Sequence, residues 1–329
     1  MDNLCHTLAG AALGEAGLKR RTAMSMATLM IASNLPDVDV AVFATNTLAM
    51  SFRRGWTHGV LAMAVLPAIL AALIYAIGYR RIRAPSDTRE RPGGLASVAP
   101  RSQPAPINFR GLILLSYIGT LVHVFMDWLN SYGVRLLMPF SNEWFYGDAL
   151  YIVDPLLYVF FGVALVAARR ASRQPRGNAA APARVGLVCA ALYIVLMLAS
   201  NWWARTEVGG ELVRAGRANT RFMVTPVFGN PVRREVIVET GARYEKGVVW
   251  FQPAPHFRPS GYGVDTNAST AEAMQASQMP RVQAFLRWSR FPFFVIDRTA
   301  VGTRVFLNDY RYSGSGRDGW SAVETTLPK

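Results

Sequence analysis

The stretch GLILLSYIGTLVHVFMDWLN, residues 111–130, is apolar until it reaches His123 and Asp127. Its length is about the 20 residues with which an α-helix crosses the hydrocarbon core of a bilayer. His123 and Asp127 are four residues apart and Asn130 follows three later, so a helix places all three on one face. Ionisable groups at membrane depth are costly and usually mark function. The stretch therefore predicts a membrane-spanning helix with a functional site near its C-terminal end.

Several other stretches share this apolar character, and they differ mainly in length. Some are near the length of a full span, whereas two N-terminal ones reach only part of the way across. The first 203 residues thus predict a mainly α polytopic membrane domain with four full spans plus two shorter N-terminal helices. The full spans are residues 58–79, 111–130, 151–168 and 185–203, and the shorter helices are residues 3–17 and 22–34.

From residue 204 onward the sequence has mixed charge and short β-branched or aromatic runs. Residues 235–239, 247–251 and 303–307 have the character of strands, and residues 270–288 have that of a helix. A segment of this length is able to form its own core. We therefore predict a small α+β extramembrane domain at residues 204–329, following the membrane domain at residues 1–203.

The composition agrees with a membrane protein. The chain is 51% hydrophobic and 17% charged, whereas soluble domains carry about 25% charged residues. A net charge of +14 invites a nucleic-acid partner, but much of the excess lies in short loops where membrane topology explains it, and we expect no nucleic acid. Residues 84–106, rich in Pro, Ser and Arg, are predicted to be a disordered cytoplasmic loop. Two cysteines in apolar segments give no disulfide framework.

Arginine-rich loops set the expected orientation in the membrane. Loops 80–110 and 169–184 carry seven and five arginines, whereas residues 131–150 contain one. Positively charged loops remain in the cytoplasm. The prediction is a multi-pass protein of the cell inner membrane with a periplasmic C-terminal domain. Arg53 and Arg54 are a mild exception, because this topology places them on the outer side.

The same topology brings eight ionisable residues to the outer membrane face from six separate places in the sequence. They are His6, Asp37, Asp39, His58, His123, Asp127, Asp148 and Asp154. Imidazole and carboxylate ligands suit zinc, manganese or iron. We expect the first six of these residues to hold a divalent metal, with zinc as the first choice and one or two ions as open alternatives.

Single positions are also compatible with ordinary structural roles. Asp154 precedes a proline and equally suits the N-cap of its helix. Asp148 is typical of a solvated loop, Asp37 and Asp39 are typical of turns, and His6 alone is compatible with a surface position near the terminus. It is the shared level of all eight residues that favours a site.

Five short elements resemble those of the YdjM-like family of inner-membrane metal-dependent hydrolases, of the LexA-regulated type. The elements are Met1-Asp-Asn-Leu-Cys-His6-Thr-Leu-Ala-Gly10, Asn34-Leu-Pro-Asp37-Val-Asp39, Arg54-Gly-Trp-Thr-His58, His123-Val-Phe-Met-Asp127-Trp-Leu-Asn130-Ser-Tyr-Gly133, and Asp148 with Asp154-Pro155. Cys5 stands where the family usually has Thr, and Gly59 where Ser is common. The resemblance covers about residues 1–200 and implies a metal-dependent hydrolase.

The leading hypothesis is a metal-dependent hydrolase at the outer face of the inner membrane, acting on a phosphoester or ester of a membrane lipid or lipid-linked substrate. Asp148 or Asp154 would act as general base or would orient the metal ligands, and Arg54 and Asn130 would stabilise developing negative charge. The alternative is a non-catalytic membrane scaffold or ion-handling protein with a C-terminal interaction domain. Ligands at one membrane face favour hydrolysis, whereas carboxylates spread across the bilayer favour transport.

Overall fold

A computed structural model describes residues 1–45, 47–83, 106–174, 177–252, 254–300, 302–316 and 321–327. The chain folds as a helical N-terminal part followed by a smaller region that contains two antiparallel sheets. The disordered loop predicted at residues 84–106 lies outside the described residues except for Pro106.

The N-terminal segment forms two short helices, α1 (Asn3–Glu15) and α2 (Ser25–Ala32), as predicted. The Asp2 side chain caps α1 by accepting from the backbone N–H groups of Leu4 and Cys5, at 3.0 and 3.2 Å. A 3-10 helix, Leu35–Ala44, follows α2 with its proline at the first turn and is bent by 51° from it. This bend occurs where Pro36 disfavours continued α-helix, and it turns Asp37 and Asp39 toward the protein interior.

Four longer helices follow the short helix α3 (Ala49–Phe52). They are α4 (Val60–Arg83), α5 (Phe109–Trp128), α6 (Pro155–Ala171) and α7 (Ala180–Arg214). In the described part of the chain, three helices are long and apolar enough to cross a membrane, namely α4, α5 and α7, and the bent pair of α2 and the 3-10 helix makes four if it counts as one span. The span predicted at residues 151–168 corresponds to α6, a 17-residue helix that begins only at Pro155. The described residues give three to four candidate spans, and the number of four full spans stays a prediction.

Helices α2 and α5 approach closely at a glycine. A Cβ atom added to Gly119 would lie 2.6 Å from the Cβ of Ala32 and 3.0 Å from the backbone nitrogen of Ser33. Small residues at membrane helix contacts permit this backbone approach. The contact places the carbonyl group of Ser33 beside the next turn of α5, which carries His123.

Helix α7 continues through the predicted domain boundary at residues 203 and 204 and ends at Arg214. Its last three turns bury Ala204, Val208 and Leu212 against the first sheet. That sheet has the order β1-β2-β3-β4, and a second sheet has the order β5-β6-β7. The strands are β1 (Phe222–Val227), β2 (Asn230–Thr240), β3 (Arg243–Trp250), β4 (His256–Asp265), β5 (Pro292–Thr299), β6 (Gly302–Asp309) and β7 (Ala322–Leu327).

The strand predictions overlap β2, β3 and β6, but the single helix predicted at residues 270–288 is wrong. The structure has two short helices there, α8 (Ala271–Ala276) and α9 (Pro280–Leu286). Pro280 has no N–H to continue the first helix and opens the second at its first turn. Pro292 follows both helices and begins β5.

Candidate metal centre

Four ionisable side chains from three parts of the helical region meet at one point. Asp37 comes from the 3-10 helix, His58 from the turn before α4, and His123 and Asp127 from α5. One ligand atom from each lies within 4.8 Å of all the others. The four side chains are 0–3% exposed, so the cluster is shielded from bulk solvent.

Both imidazoles in this group have one ring nitrogen fixed by the protein. Nδ1 of His123 lies 2.7 Å from the carbonyl oxygen of Ser33 and must donate to it, because a carbonyl only accepts. Nδ1 of His58 lies 3.0 Å from Oγ1 of Thr57. The two Nε2 atoms then face each other at 3.2 Å. Fixing the outer nitrogen in this way is how proteins orient metal-binding histidines.

The spacing of these ligand atoms fits a divalent metal ion. Oδ2 of Asp127 lies 3.3 Å from Nε2 of His58 and 3.6 Å from Nε2 of His123. Metal–ligand bonds of 2.0–2.1 Å in tetrahedral geometry separate the ligand atoms by about 3.3–3.4 Å. That same Oδ2 atom is buried and has no hydrogen bond from the described residues, and its ion-pair partner is Nε of Arg54 at 2.9 Å. Two imidazoles and two carboxylates suit zinc, manganese or iron alike.

His6 lies directly beside this group without belonging to it. Its Nε2 is 3.2 Å from the other oxygen of Asp127, Oδ1, and its ring stacks on that of His123 with centroids 3.9 Å apart. Its Nδ1 is buried without a hydrogen-bond partner among the described residues. The amino group of Met1 also contacts Asp127. His6 therefore contacts one oxygen of the Asp127 carboxylate, whereas the two imidazoles of the group face the other.

Asp39 supports the group from outside. Its Oδ2 accepts from the backbone N–H of Arg54 at 2.7 Å and from Oγ1 of Thr57 at 3.2 Å, and lies 3.7 Å from Nδ1 of His58. These contacts hold the turn that presents His58. In this arrangement Asp39 orients a ligand from a second layer.

Two arginines neutralise the carboxylates. Arg53 donates to Asp37 at 3.1 Å and to Asp39 at 3.3 Å. Arg54 donates from Nη2 to Asp127 at 2.9 Å and from Nη1 to Oδ1 of Asn130 at 2.8 Å. These ion pairs give the physical reason for two arginines in a segment where loop charge alone disfavours them.

The structure does not bring Asp148 or Asp154 into the group. Both oxygens of Asp148 accept from Nη1 of Arg290, at 2.8 and 2.9 Å. Asp154 caps α6 by accepting from the backbone N–H of Leu156 at 3.1 Å, and its other oxygen accepts from Oη of Tyr193 at 2.9 Å. The role of helix cap is thus the one that the structure shows for Asp154.

The groups that fix the ligands are hard to recognise from sequence. Thr57 and the Ser33 carbonyl hold the two imidazoles, and Arg53 pairs with Asp37 and Asp39. Thr57 stands in the Arg-Gly-x-Thr-His element directly before His58, which is the available signal. A backbone carbonyl such as that of Ser33 leaves no trace in sequence.

Comparison with known proteins gives a family but no solved relative. A family model described as YdjM inner membrane protein matches residues 1–208. The chain is 24% identical over 206 residues to the uncharacterized protein YfhP of Bacillus subtilis (strain 168). The aligned stretch covers 60% of this chain and 52% of YfhP. The chain thus spans about half the length of that relative. No solved structure shows a significant match.

Proposed function

Because the chain belongs to the YdjM family of inner-membrane proteins, we propose that its buried centre binds a divalent metal ion and serves hydrolysis at the membrane. The observation that carries this proposal is the convergence of Asp37, His58, His123 and Asp127 within 4.8 Å. Ionisable groups gathered at membrane depth need a functional reason, and a bound cation supplies one for the two imidazoles and two carboxylates.

A divalent ion at this position would supply Lewis acidity and would acidify a water molecule toward neutral pH. The protein's own contribution is orientation. Thr57 and the Ser33 carbonyl fix the outer ring nitrogens of His58 and His123, so that both Nε2 atoms point at Asp127. Such second-layer contacts raise the affinity of metal ligands.

Proton transfer is assigned to His6 in this proposal, replacing the expected role of Asp148 or Asp154. His6 contacts Asp127 through Nε2, whereas Asp148 is paired with Arg290 and Asp154 caps α6. A general base must lie within hydrogen-bond reach of the reacting groups. His6 lies at the centre itself, within hydrogen-bond distance of Asp127.

Arg54 and Asn130 retain the role of stabilising negative charge. The Arg54 guanidinium faces both Asp127 and Asn130 inside the buried site. A fixed cation in a water-poor site stabilises developing negative charge far more than it would in water. This favours a phosphoester or carboxylic ester as the bond that is cleaved.

Apolar residues next to the ligands in sequence favour a substrate that arrives from the bilayer. Val38 lies between two carboxylates, Trp56 lies between Arg54 and His58, and Phe125 lies between the two ligands of α5. These side chains are 51%, 54% and 46% exposed. Large apolar groups of this kind suit contact with lipid. We therefore propose a lipid or a lipid-linked molecule as substrate.

The test is metal analysis and hydrolysis by protein purified in detergent. We expect near-stoichiometric divalent metal in the wild type, and hydrolysis of phosphodiester or ester lipids that a chelator abolishes. His58→Ala and Asp127→Asn should lose the metal. His256→Ala is the matched control, because His256 lies in the sheet region and its Nδ1 bonds the Ala254 carbonyl. A correctly folded wild type without metal, or full activity in Asp127→Asn, would disprove the proposal.

The alternative, a metal-holding scaffold without catalysis, has one observation in its favour. The centre offers four protein ligands and is almost fully buried, and structural metal sites are closed in this way, whereas catalytic ones keep an open position. Cobalt substitution separates the two functions. A four-coordinate spectrum that added inorganic phosphate leaves unchanged supports the scaffold, and a spectrum that phosphate shifts supports the hydrolase.

A further inference from the structure

We infer that the C-terminal region, beyond the residues matched by the family, is a positioning element of the metal centre and acts through Tyr132 on Arg54. The inference rests on the metal binding proposed above. It assigns a role to residues 209–329, which the family model does not cover. Three sets of contacts connect this region to the centre: those of its arginines with residues 131–150, those of Tyr132, and those of Arg54.

Three arginines of the C-terminal region bind the chain that follows α5. Arg311 donates to the carbonyl oxygen of Ser131 at 2.6 Å, and Arg234 donates to that of Ala149 at 2.7 Å. Arg290 binds both oxygens of Asp148. The segment of residues 131–150 is therefore held at both of its ends by the C-terminal region.

Two of these guanidinium groups are themselves fixed. Arg311 makes two bonds of 2.9 Å to the carboxylate of Asp309. Arg234 is 1% exposed and also donates to the Met197 carbonyl at 2.7 Å and to Oγ of Ser200 at 3.0 Å. A guanidinium held by several acceptors is rigid, so each carbonyl that it binds has a defined position.

Tyr132 connects this segment to the centre. Its ring contacts the guanidinium of Arg54, 4.8 Å from the ring centroid, and the indole of Trp288, with centroids 5.1 Å apart. Its backbone N–H donates to Oδ1 of Asn130 at 2.9 Å. Arg54 donates to that same oxygen.

Arg54 is thus placed by Tyr132 on one side and by Asn130 on another, and it binds Asp127 in turn. A cation–π contact is strongest where water is excluded, and Tyr132 is buried beneath Trp288 and the second sheet. Without the aromatic pair, Arg54 would gain freedom to move relative to Asp127. The carboxylate would then lose the orientation that directs Oδ2 toward the two imidazoles.

The experiment compares metal affinity in four variants of the full chain, measured in detergent by competition with a chelator. Tyr132→Leu and Trp288→Leu should each weaken zinc binding by about 10-fold or more, the range seen when supporting contacts of metal ligands are removed. Tyr132→Phe keeps the ring over Arg54 and should bind as the wild type does. Arg304→Ala breaks an exposed ion pair with Glu324 in the second sheet and serves as the matched control.

Melting without metal separates positioning from general loss of structure. We expect Tyr132→Leu to bind zinc weakly even where its metal-free melting temperature equals that of Arg304→Ala. If Tyr132→Leu fails to fold, Trp288→Leu decides the question. Wild-type affinity in both folded Leu variants overturns this inference while leaving the proposed function intact. A wild type that binds no metal overturns both.

Discussion

Asp39 lies next to the candidate metal centre and contacts the residues around His58. Its carboxylate accepts from the backbone N–H of Arg54 and from the hydroxyl of Thr57, two residues of the turn that ends at His58. We predict that Asp39→Asn lowers metal affinity by about 10- to 100-fold, because a neutral amide holds these donors less firmly. Chelator competition gives the affinity.

Asp265→Asn is the control for this substitution, because Asp265 forms an exposed pair with Arg243 far along the chain. It should leave metal affinity unchanged. Equal affinity for Asp39→Asn and the wild type would show that Asp39 is a turn residue only.

At the scale of residues, the sequence predicted a common membrane depth for eight side chains, which stays a prediction, but not which of them meet. His123 and Asp127 are one turn apart on one helix, so their proximity followed from spacing alone. Asp148 and Asp154 were predicted at the same membrane face as the ligands. In the structure, however, Asp148 pairs with Arg290 and Asp154 caps α6, so neither joins the group. Lateral position depends on how helices pack, and packing is not visible in spacing.

The contact between α2 and α5 gives a prediction at the scale of elements. Gly119→Ala would force a Cβ atom to within 2.6 Å of Ala32, and overpacking of this kind costs about 1–3 kcal/mol. We expect a lower melting temperature in detergent and weaker metal binding, because the Ser33 carbonyl that orients His123 directly follows α2.

Gly162→Ala on α6 is the matched control. Its added Cβ meets nothing within 4 Å among the described residues, and alanine favours helix over glycine. Its melting temperature should stay level or rise. Similar behaviour of both variants would mean that the helix contact is looser than the structure shows.

Strand β6 ends in a buried ion pair whose effect on stability depends on pH. Burial by itself raises the pKa of Asp309, but the charge of Arg311, together with hydrogen bonds from Arg311 and Ser289, lowers the pKa below its usual value. The carboxylate is therefore more acidic in the folded than in the unfolded state. Its contribution is fully present above the unfolded pKa of about 3.9 and is lost as the pH falls through the lower folded pKa.

We accordingly expect the C-terminal region to melt at progressively lower temperature as the pH is reduced below about 4. Circular dichroism in the β-sheet range records the transition. Asp309→Asn should melt early at neutral pH and change less with acid than the wild type does. An equal acid response in both proteins would remove Asp309 as the cause.

Among the elements, apolar length predicted α4, α5 and α7 well, because helices of soluble proteins rarely contain an uninterrupted apolar run of about 20 residues. The positions where helices begin and end were harder to predict. Asp154 shortened α6 to 17 residues, and Pro280 divided the stretch at residues 270–288. The extension of α7 to Arg214 depends on Val208 and Leu212 packing on a sheet that lies later in the chain.

For the whole molecule, loop charge and the contacts at the centre make one prediction about topology. Arg135, in the segment after α5, binds the carbonyl of Phe52 ahead of α4. Arg290 and Arg234 of the C-terminal region bind Asp148 and Ala149 ahead of α6. We therefore expect these parts of the chain to lie on one side of the membrane. With Cys5 and Cys189 replaced, an impermeant maleimide should label Thr45→Cys, Asn142→Cys and Ser260→Cys in intact spheroplasts. Ser172→Cys should react only after permeabilisation. Labelling of Ser172→Cys together with the other three would contradict this arrangement.

The attachment of the C-terminal region to the centre is the large feature that sequence left hidden. Nothing in the spacing of Trp288 or Arg311 indicates a partner near residue 131. Such contacts join residues about 150 positions apart or more, and they depend on the finished packing of both regions.

The pairing of Arg53 and Arg54 with Asp37, Asp39 and Asp127 has a consequence for biogenesis. Residues 35–57 contain two aspartates and two arginines, so this stretch has no net charge when it leaves the translocon. A unit positive charge moved against the transmembrane voltage costs about 2.3 kcal/mol per 100 mV, but a self-compensated hairpin transfers none. The proton-motive force would then neither assist nor oppose its insertion, and de-energised cells should deliver this loop as readily as respiring ones.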